Sequence, residues 1–181
     1  MRITGGRLKG RRLKVAAHGR LRPTSDRVRQ ALFNRLGQRF EGGTVLDLFA
    51  GTGSLGLEAL SRGMERAVFV ENHRPAIAIL RANIEACALA DRARIVAQDA
   101  LRYLRTARGE SFDLILSDPP YRKGLSGAVL ELVARYGLLA PEGALVLEAE
   151  SDYAFEQGTR GLVLVKKATY GSSAIGIYAR E

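Results

Sequence analysis

From Thr44 onward the apolar positions fall into two alternating patterns. Short, nearly continuous apolar runs at residues 45–49, 67–70, 93–98, 112–117 and 144–148 have the length of strands buried on both faces. Between them the spacing turns helical, with Leu57, Leu60 and Met64 after the first run and Val129, Leu132 and Val133 within residues 126–136 after the fourth. Such alternation predicts a parallel sheet with helices on both faces. Pro141-Glu142-Gly143 is expected to turn the chain into the fifth strand. Residues 161–167 and 174–178 are strand-like with only Tyr170-Gly171-Ser172-Ser173 and short flanks between them, which leaves no room for a helix and predicts an antiparallel hairpin at the sheet edge. Upstream, Pro23-Thr24-Ser25-Asp26 reads as a helix start. Val28, Leu32 and Leu36, widened by Ala31 and Phe33, carry that helix through Phe40 to a stop at Gly42-Gly43. Gly5, Gly6, Gly10 and Gly19 punctuate the first twenty residues around a strand-like 12–15, which predicts a small appended hairpin. The expected organisation is one α/β domain over residues 1–181, a basic hairpin and helix at 1–43 joined to a core at 44–181.

Length and composition are those of one globular domain: 181 residues, 46% hydrophobic and 26% charged. No apolar stretch approaches the ~20 residues of a membrane span. The basic N-terminus lacks a following apolar segment and a small-residue cleavage site, so no secretory signal is expected. Cys87, the single cysteine, cannot form an internal disulfide, which suits a reducing cytoplasm, and its helical setting predicts a structural thiol. Charge changes the picture more. The net +9 resides in residues 1–30, where ten basic side chains meet one acid, Asp26, while the remainder balances with 18 of each sign. A compact basic platform on a neutral body suits a phosphate backbone.

The candidate chemistry sits at strand ends. Gly51, Gly53 and Gly56 have the G-x-G-x-x-G spacing between a strand and a helix, where the backbone can approach a ligand closely. The second strand ends in Glu71, suited to two ribose hydroxyls, and the third at Asp99-Ala100, where a carboxylate could accept from an adenine amino group. These features alone fit NAD as well. Asp47, four residues before Gly51, would repel a pyrophosphate and instead suits a cationic group such as the sulfonium and ammonium of S-adenosylmethionine. The fourth strand delivers Asp118-Pro119-Pro120-Tyr121 to the same edge. Two prolines lack N–H donors and leave carbonyl oxygens free to accept from an exocyclic amino group. Asp118 adds a carboxylate acceptor, and Tyr121 a ring for stacking a base. No metal is needed for that chemistry.

Together these stretches resemble a known family, the bacterial RsmD-type 16S ribosomal RNA guanine-N2 methyltransferases, named for guanine 966. The resemblance runs nearly end to end, through Arg2-Ile3-Thr4-Gly5-Gly6 with Lys9-Gly10-Arg11, residues 22–29 (Arg-Pro-Thr-Ser-Asp-Arg-Val-Arg), residues 45–53 and Asp118 to Tyr121. It implies a Rossmann-like class I methyltransferase sheet of five parallel strands plus the C-terminal hairpin. It also implies methyl transfer from S-adenosylmethionine to guanine N2, with Asp118, Pro119, Pro120 and Tyr121 as the catalytic set. Cofactor contacts are implied at Thr24, Arg27, Asp47, Phe49, Gly51, Gly53, Glu71, Asn72, Asp99, Ala100 and Asp118. RNA contacts are expected at Arg2, Arg7, Lys9, Arg11, Arg12, Lys14, Arg20 and Arg22. The implied partner is 16S rRNA in the small subunit or its assembly intermediate, met by a cytoplasmic monomer. His73 is expected in the capping region of a helix rather than in catalysis. Adenine N6 in DNA or RNA is the alternative acceptor, because the tetrapeptide does not distinguish it from guanine N2. A dehydrogenase leaves residues 118–121 without a role, and a non-catalytic RNA-binding protein leaves the four acids without one.

Overall fold

The computed structural model describes residues 1–15, 26–120 and 124–181. One sheet of eight strands organises the described chain. Its strands are β1 (Thr44–Leu48), β2 (Arg66–Glu71), β3 (Ala93–Ala97), β4 (Phe112–Ser117), β5 (Leu139–Glu150), β6 (Gly158–Thr159), β7 (Leu162–Tyr170) and β8 (Ser173–Arg180). The helices are α1 (Asp26–Leu36), α2 (Ser54–Ser61), α3 (Arg74–Ala86), α4 (Ala100–Thr106) and α5 (Leu125–Tyr136). Strand order is β3-β2-β1-β4-β5-β8-β7-β6, with β1 to β5 mutually parallel and the last three strands antiparallel.

The two-residue period of each strand divides the core. Leu46, Leu48, Val68, Val70 and Ile115 face Tyr103 and Leu104 of α4 and Val129 and Val133 of α5. Their neighbours Val45, Phe69, Leu114 and Leu116 face Phe33 of α1, Leu57 and Leu60 of α2 and Leu80 of α3. Both faces are covered, which explains why these strands read as continuous apolar runs rather than alternating ones.

Four boundaries differ from the sequence expectation. Helix α1 ends at Leu36 rather than Phe40; Gly37 takes φ 122°, and the Phe40 N–H donates to the Arg62 carbonyl, pulling the chain across α2 instead of continuing the helix. Strand β5 starts at Leu139 and runs through Pro141-Glu142-Gly143, with a register shift against β4 absorbing the proline, which has no N–H for the ladder. The C-terminal hairpin forms at the sheet edge as expected, with β8 beside β5, but a two-residue β6 extends the sheet beyond β7. The N-terminal segment is a looser hairpin than a strand pair: one antiparallel bridge joins Arg2 and Arg12, and the Ile3 N–H donates to the Arg11 carbonyl at 3.0 Å.

That segment is built into the core. Ile3 and Leu13 are buried, and Thr4 donates through its N–H and Oγ1 to the Glu58 carboxylate at 2.8 and 2.7 Å. The same carboxylate pairs with Arg29 Nε at 3.2 Å and Arg62 Nε at 2.8 Å, all three side chains being almost fully buried. Arg29 also meets Asp26 at 2.9 Å and donates to the Arg2 carbonyl. One of the ten N-terminal cations is therefore an internal strut and offers no charge to a partner.

Candidate active site

Strands β3, β2, β1 and β4 lie side by side and end together. Leu48 pairs with Val70 and Ser117, and Glu71 with Ala97. At about 4.8 Å per strand the four carboxyl ends span roughly 14 Å. The strand order reverses between β1 and β4, and open α/β sheets bind ligands in the crevice such a reversal opens.

Asp47, on β1, is 1% exposed, and its Oδ2 accepts from the Gly56 N–H at 2.9 Å. Burial pushes its carboxyl well above the usual carboxylate range. The Gly56 bond opposes that, while the Asp118 and Glu71 carboxylates push it further up. Three acids from three strands thus share one electrostatic neighbourhood. Gly56 permits this closeness: a Cβ there would meet Phe69 at 2.4 Å and Asp47 Oδ2 at 3.0 Å.

The turn after β1 is held from both sides. Phe49 takes φ 57°, a left-handed conformation that costs a non-glycine residue of order 1–3 kcal/mol and is of the kind that clusters at ligand sites. Gly53 has φ 81°, and a Cβ on it would lie 2.3 Å from Leu80 of α3. Glu71 closes the turn by accepting from the Gly51 N–H at 2.8 Å through Oε2 and from the Asn72 and His73 N–H groups at 2.9 and 2.8 Å through Oε1. Three donors occupy three of its roughly four acceptor sites. Glu71 is thus a brace of the glycine turn before any ligand arrives.

The other expected residues are distributed around this cluster. Asp99 is exposed and caps α4, its Oδ1 accepting from the Arg102 N–H at 2.9 Å, and Ala100 is buried as the first residue of that helix. Asn72 is exposed. His73 holds the cap position of α3, although its side chain makes no capping bond. Asp118 is half-buried, Pro119 buried and Pro120 exposed. Arg27 is exposed in the first turn of α1. Thr24, Arg20, Arg22 and Tyr121 lie outside the described residues. Arg2, Arg7, Lys9, Arg11, Arg12 and Lys14 are all exposed. They do not form one platform at the crevice, because the segment runs the length of α2. Lys14 lies near the glycine turn, whereas the Arg7 N–H donates to Ser61, the far end of the helix, at 2.8 Å.

Two side chains of the site carry no signature in the sequence. Asn83 of α3, 1% exposed, donates through Nδ2 to the Thr52 carbonyl of the glycine turn at 2.9 Å and to the Lys14 carbonyl at 3.1 Å, and accepts at Oδ1 from the Lys14 N–H at 2.8 Å. One buried amide thus joins the turn to the basic segment. The Ser117 hydroxyl, beside Asp118 at the end of β4, is buried with no hydrogen-bond partner among the described residues. Two cavities among the described residues, of about 670 and 340 Å³, open elsewhere, against the 61–63 turn and beneath β1 and β4, and none of the four acids lines either.

A parallel sheet of this order with an antiparallel hairpin, a braced glycine turn and a carboxylate cluster at the reversal defines a Rossmann-like methyltransferase fold. The chain belongs to the RsmD family, whose model, described as Conserved hypothetical protein 95, matches residues 1–179. That family is one of S-adenosylmethionine-dependent methyltransferases. The putative rRNA methyltransferase YlbH of Bacillus subtilis is 39% identical over 183 residues, covering 100% of both chains. The ribosomal RNA small subunit methyltransferase D of Escherichia coli is 36% identical over 181 residues, 100% of this chain and 90% of its own. A solved structure of the putative methyltransferase yhhF from Escherichia coli superposes with TM-score 0.86 at 36% identity, covering 100% of this chain and 98% of its own.

The carboxyl-edge residues fit that cofactor on their own chemistry. A buried Asp47 beside two further carboxylates is costly until a cation arrives, and the cofactor carries a sulfonium and an ammonium.

Proposed function

We propose that the chain transfers a methyl group from S-adenosylmethionine to the exocyclic N2 of a guanine in 16S rRNA, guanine 966 in the family's numbering. The observation that carries the reading is the pairing of the β1 and β4 ends, Asp47 with Leu116 and Leu48 with Ser117, which brings Asp118, an acceptor for an amino group, to the edge where Asp47 offers an acceptor for a cationic donor. The names of the Bacillus and Escherichia coli relatives favour rRNA as the substrate class.

When bound, the cofactor supplies a methyl group on a sulfonium leaving group. Asp47 would hold the cationic methionine part beside the 49–53 turn, Glu71 would offer its remaining acceptor capacity to the ribose, and Asp99 and Ala100 would meet the adenine. Thr24, Arg27 and Asn72 complete the set. The guanine amino nitrogen is a poor nucleophile because its lone pair is delocalised into the ring. Asp118 and the Pro119 carbonyl would accept its two N–H bonds, favour the pyramidal nitrogen and stabilise the positive charge that develops on it during transfer. Asp118 then takes the departing proton. Positioning and charge placement thus supply the catalysis, with no covalent enzyme intermediate. Pro120 and Tyr121 border the base. The target must be flipped out or lie in a loop, since a stacked, paired base cannot reach a strand end.

Incubation with methyl-labelled cofactor and small ribosomal subunits, protein-free 16S rRNA or duplex DNA tests the substrate class. Label is expected in the ribosomal substrates and absent from DNA; transfer to DNA alone overturns the reading.

A further inference from the structure

The end of β4 has a neighbour that the proposed reaction leaves without a role. Ser117 pairs with Leu147 in the parallel β4–β5 register, so the residues that follow, Asp118 and Glu148, come side by side where the strands end, about 4.8 Å apart. Asp118 precedes a proline, which holds it extended and carries the alternation of β4 one residue further. Leu116 and Val146, two residues earlier on each strand, pack on the side of the sheet covered by α1 and α2. Asp118 and Glu148 therefore turn to that same side, where Asp47 meets Gly56 of α2. Glu148 is 6% exposed and stands in register with Ile175 of β8. Its backbone is fixed as well: the Ser126 hydroxyl, in the first turn of α5, donates to the Glu148 carbonyl at 3.1 Å.

We propose that Glu148 is the residue that makes this amino-group site select guanine, its carboxylate accepting the ring N1–H while Asp118 and the Pro119 carbonyl take the N2 amino group. The proposal rests on the reading of the chain as a guanine-N2 methyltransferase. In guanine the N1–H and the N2 amino group are carried on adjacent ring atoms, so their donors leave the base along one edge. Two carboxylates on adjacent strand ends meet that edge, because an ionised carboxylate only accepts. Adenine presents the opposite pattern next to its amino group. Its N1 carries a lone pair, which would face the Glu148 oxygens with no proton between them. In a buried setting such a mismatch costs more than it does in water, and the matched bond is worth more. The Asp-Pro-Pro turn by itself suits either amino group, and Glu148 supplies the discrimination it lacks.

The probe is 2-aminopurine, which keeps the exocyclic N2 amino group but has a bare acceptor at N1. A 16S rRNA fragment that the protein methylates is prepared with guanine or 2-aminopurine at the methylated position, and kcat/KM is measured for the wild type and for Glu148→Gln. Wild type should favour guanine by at least about a hundredfold. The glutamine amide can turn either its oxygen or its NH2 toward N1, so the variant should lose at least about tenfold of that preference. The O6 that 2-aminopurine also lacks is met alike by both proteins and drops out of the change. Calorimetric cofactor affinity within a few fold of wild type shows that the variant is folded. An unchanged preference, or equal slowing on both bases, overturns the assignment in favour of a structural role. The wild-type ratio decides without any variant too, since comparable rates on the two bases overturn it. Failure of the underlying reading looks different: the wild type then methylates no guanine in any RNA, and the role of Glu148 falls with it.

Discussion

Burial takes Asp47 out of water, and the Asp118 and Glu71 carboxylates add to the cost of its charge. Its folded pKa is raised, so the stability it contributes is fully present below the unfolded carboxylate value of ~3.9 and is lost as pH rises through the folded value. In cofactor-free protein, Asp47→Asn should therefore gain in melting temperature relative to wild type as pH climbs from about 4 toward neutrality; a pH-independent difference would show that Asp47 titrates normally. Cofactor affinity of the same variant should fall at neutral pH, because the counter-charge is gone. In the proposed reaction Asp118 acts on the acceptor rather than the donor. Asp118→Ala should lower turnover about 10²–10³-fold while calorimetric cofactor affinity stays within a few fold. Asn83→Asp keeps the acceptor for Lys14 and loses both donors, so it should loosen the Thr52 turn and raise KM for cofactor more than it lowers kcat. Asp47, Glu71, Asp99 and Asp118 were legible in the sequence because each lies at or beside the end of an apolar run. Asn83 was not, since its partners lie 31 and 69 residues away and nothing local distinguishes it from any helical asparagine.

Helix α2 has the glycine turn at its start, the N-terminal segment along its side and the larger cavity at its end. Glu58 is its central connection, because its carboxylate holds Thr4, Arg29 and Arg62 in a buried cluster. Glu58→Gln leaves the buried Arg62 without a counter-charge and Arg29 with Asp26 alone, and should cost about 3–5 kcal/mol in urea unfolding. A loss under 1 kcal/mol would mean that water enters the cluster. Arg29, within the stretch that carried the family resemblance, owes its place to this strut. The five parallel strands were legible because two covered faces demand uninterrupted apolar residues. Where the structure departs from the pattern, tertiary contacts win over local ones. Pro141 and Gly143 look like a turn but lie within β5, in the irregularity between the Leu139–Phe112 and Ala144–Leu114 pairings, and α1 stops early because Phe40 bonds to Arg62. The N-terminal glycines predicted a small appended hairpin, with no sign of how deeply it is built in. Gly5 and Gly6 instead allow contact with α2, where a Cβ would meet Arg62 at 2.3 Å and the Ser61 carbonyl at 1.9 Å.

The whole molecule carries a net charge of +9, concentrated in a segment that spans the sheet from the cofactor edge to the opposite one. RNA affinity should therefore fall steeply between about 50 and 200 mM salt, and salt-insensitive binding would point to a surface other than this one. Because Ile3, Leu13 and Thr4 are part of the core, removing residues 1–15 should unfold or destabilise the domain, not just silence RNA binding. Charge reversal at exposed positions is the cleaner probe. The central claim is that an acid and two prolines at the end of β4 present a guanine amino group to a donor held by Asp47. The most direct measurement is digestion of 16S rRNA methylated by the purified protein, followed by mass-spectrometric identification of the modified nucleoside. The account predicts N2-methylguanosine at one position, lost with Asp118→Ala. N6-methyladenosine, or a methyl group on a ring or sugar atom, would contradict it.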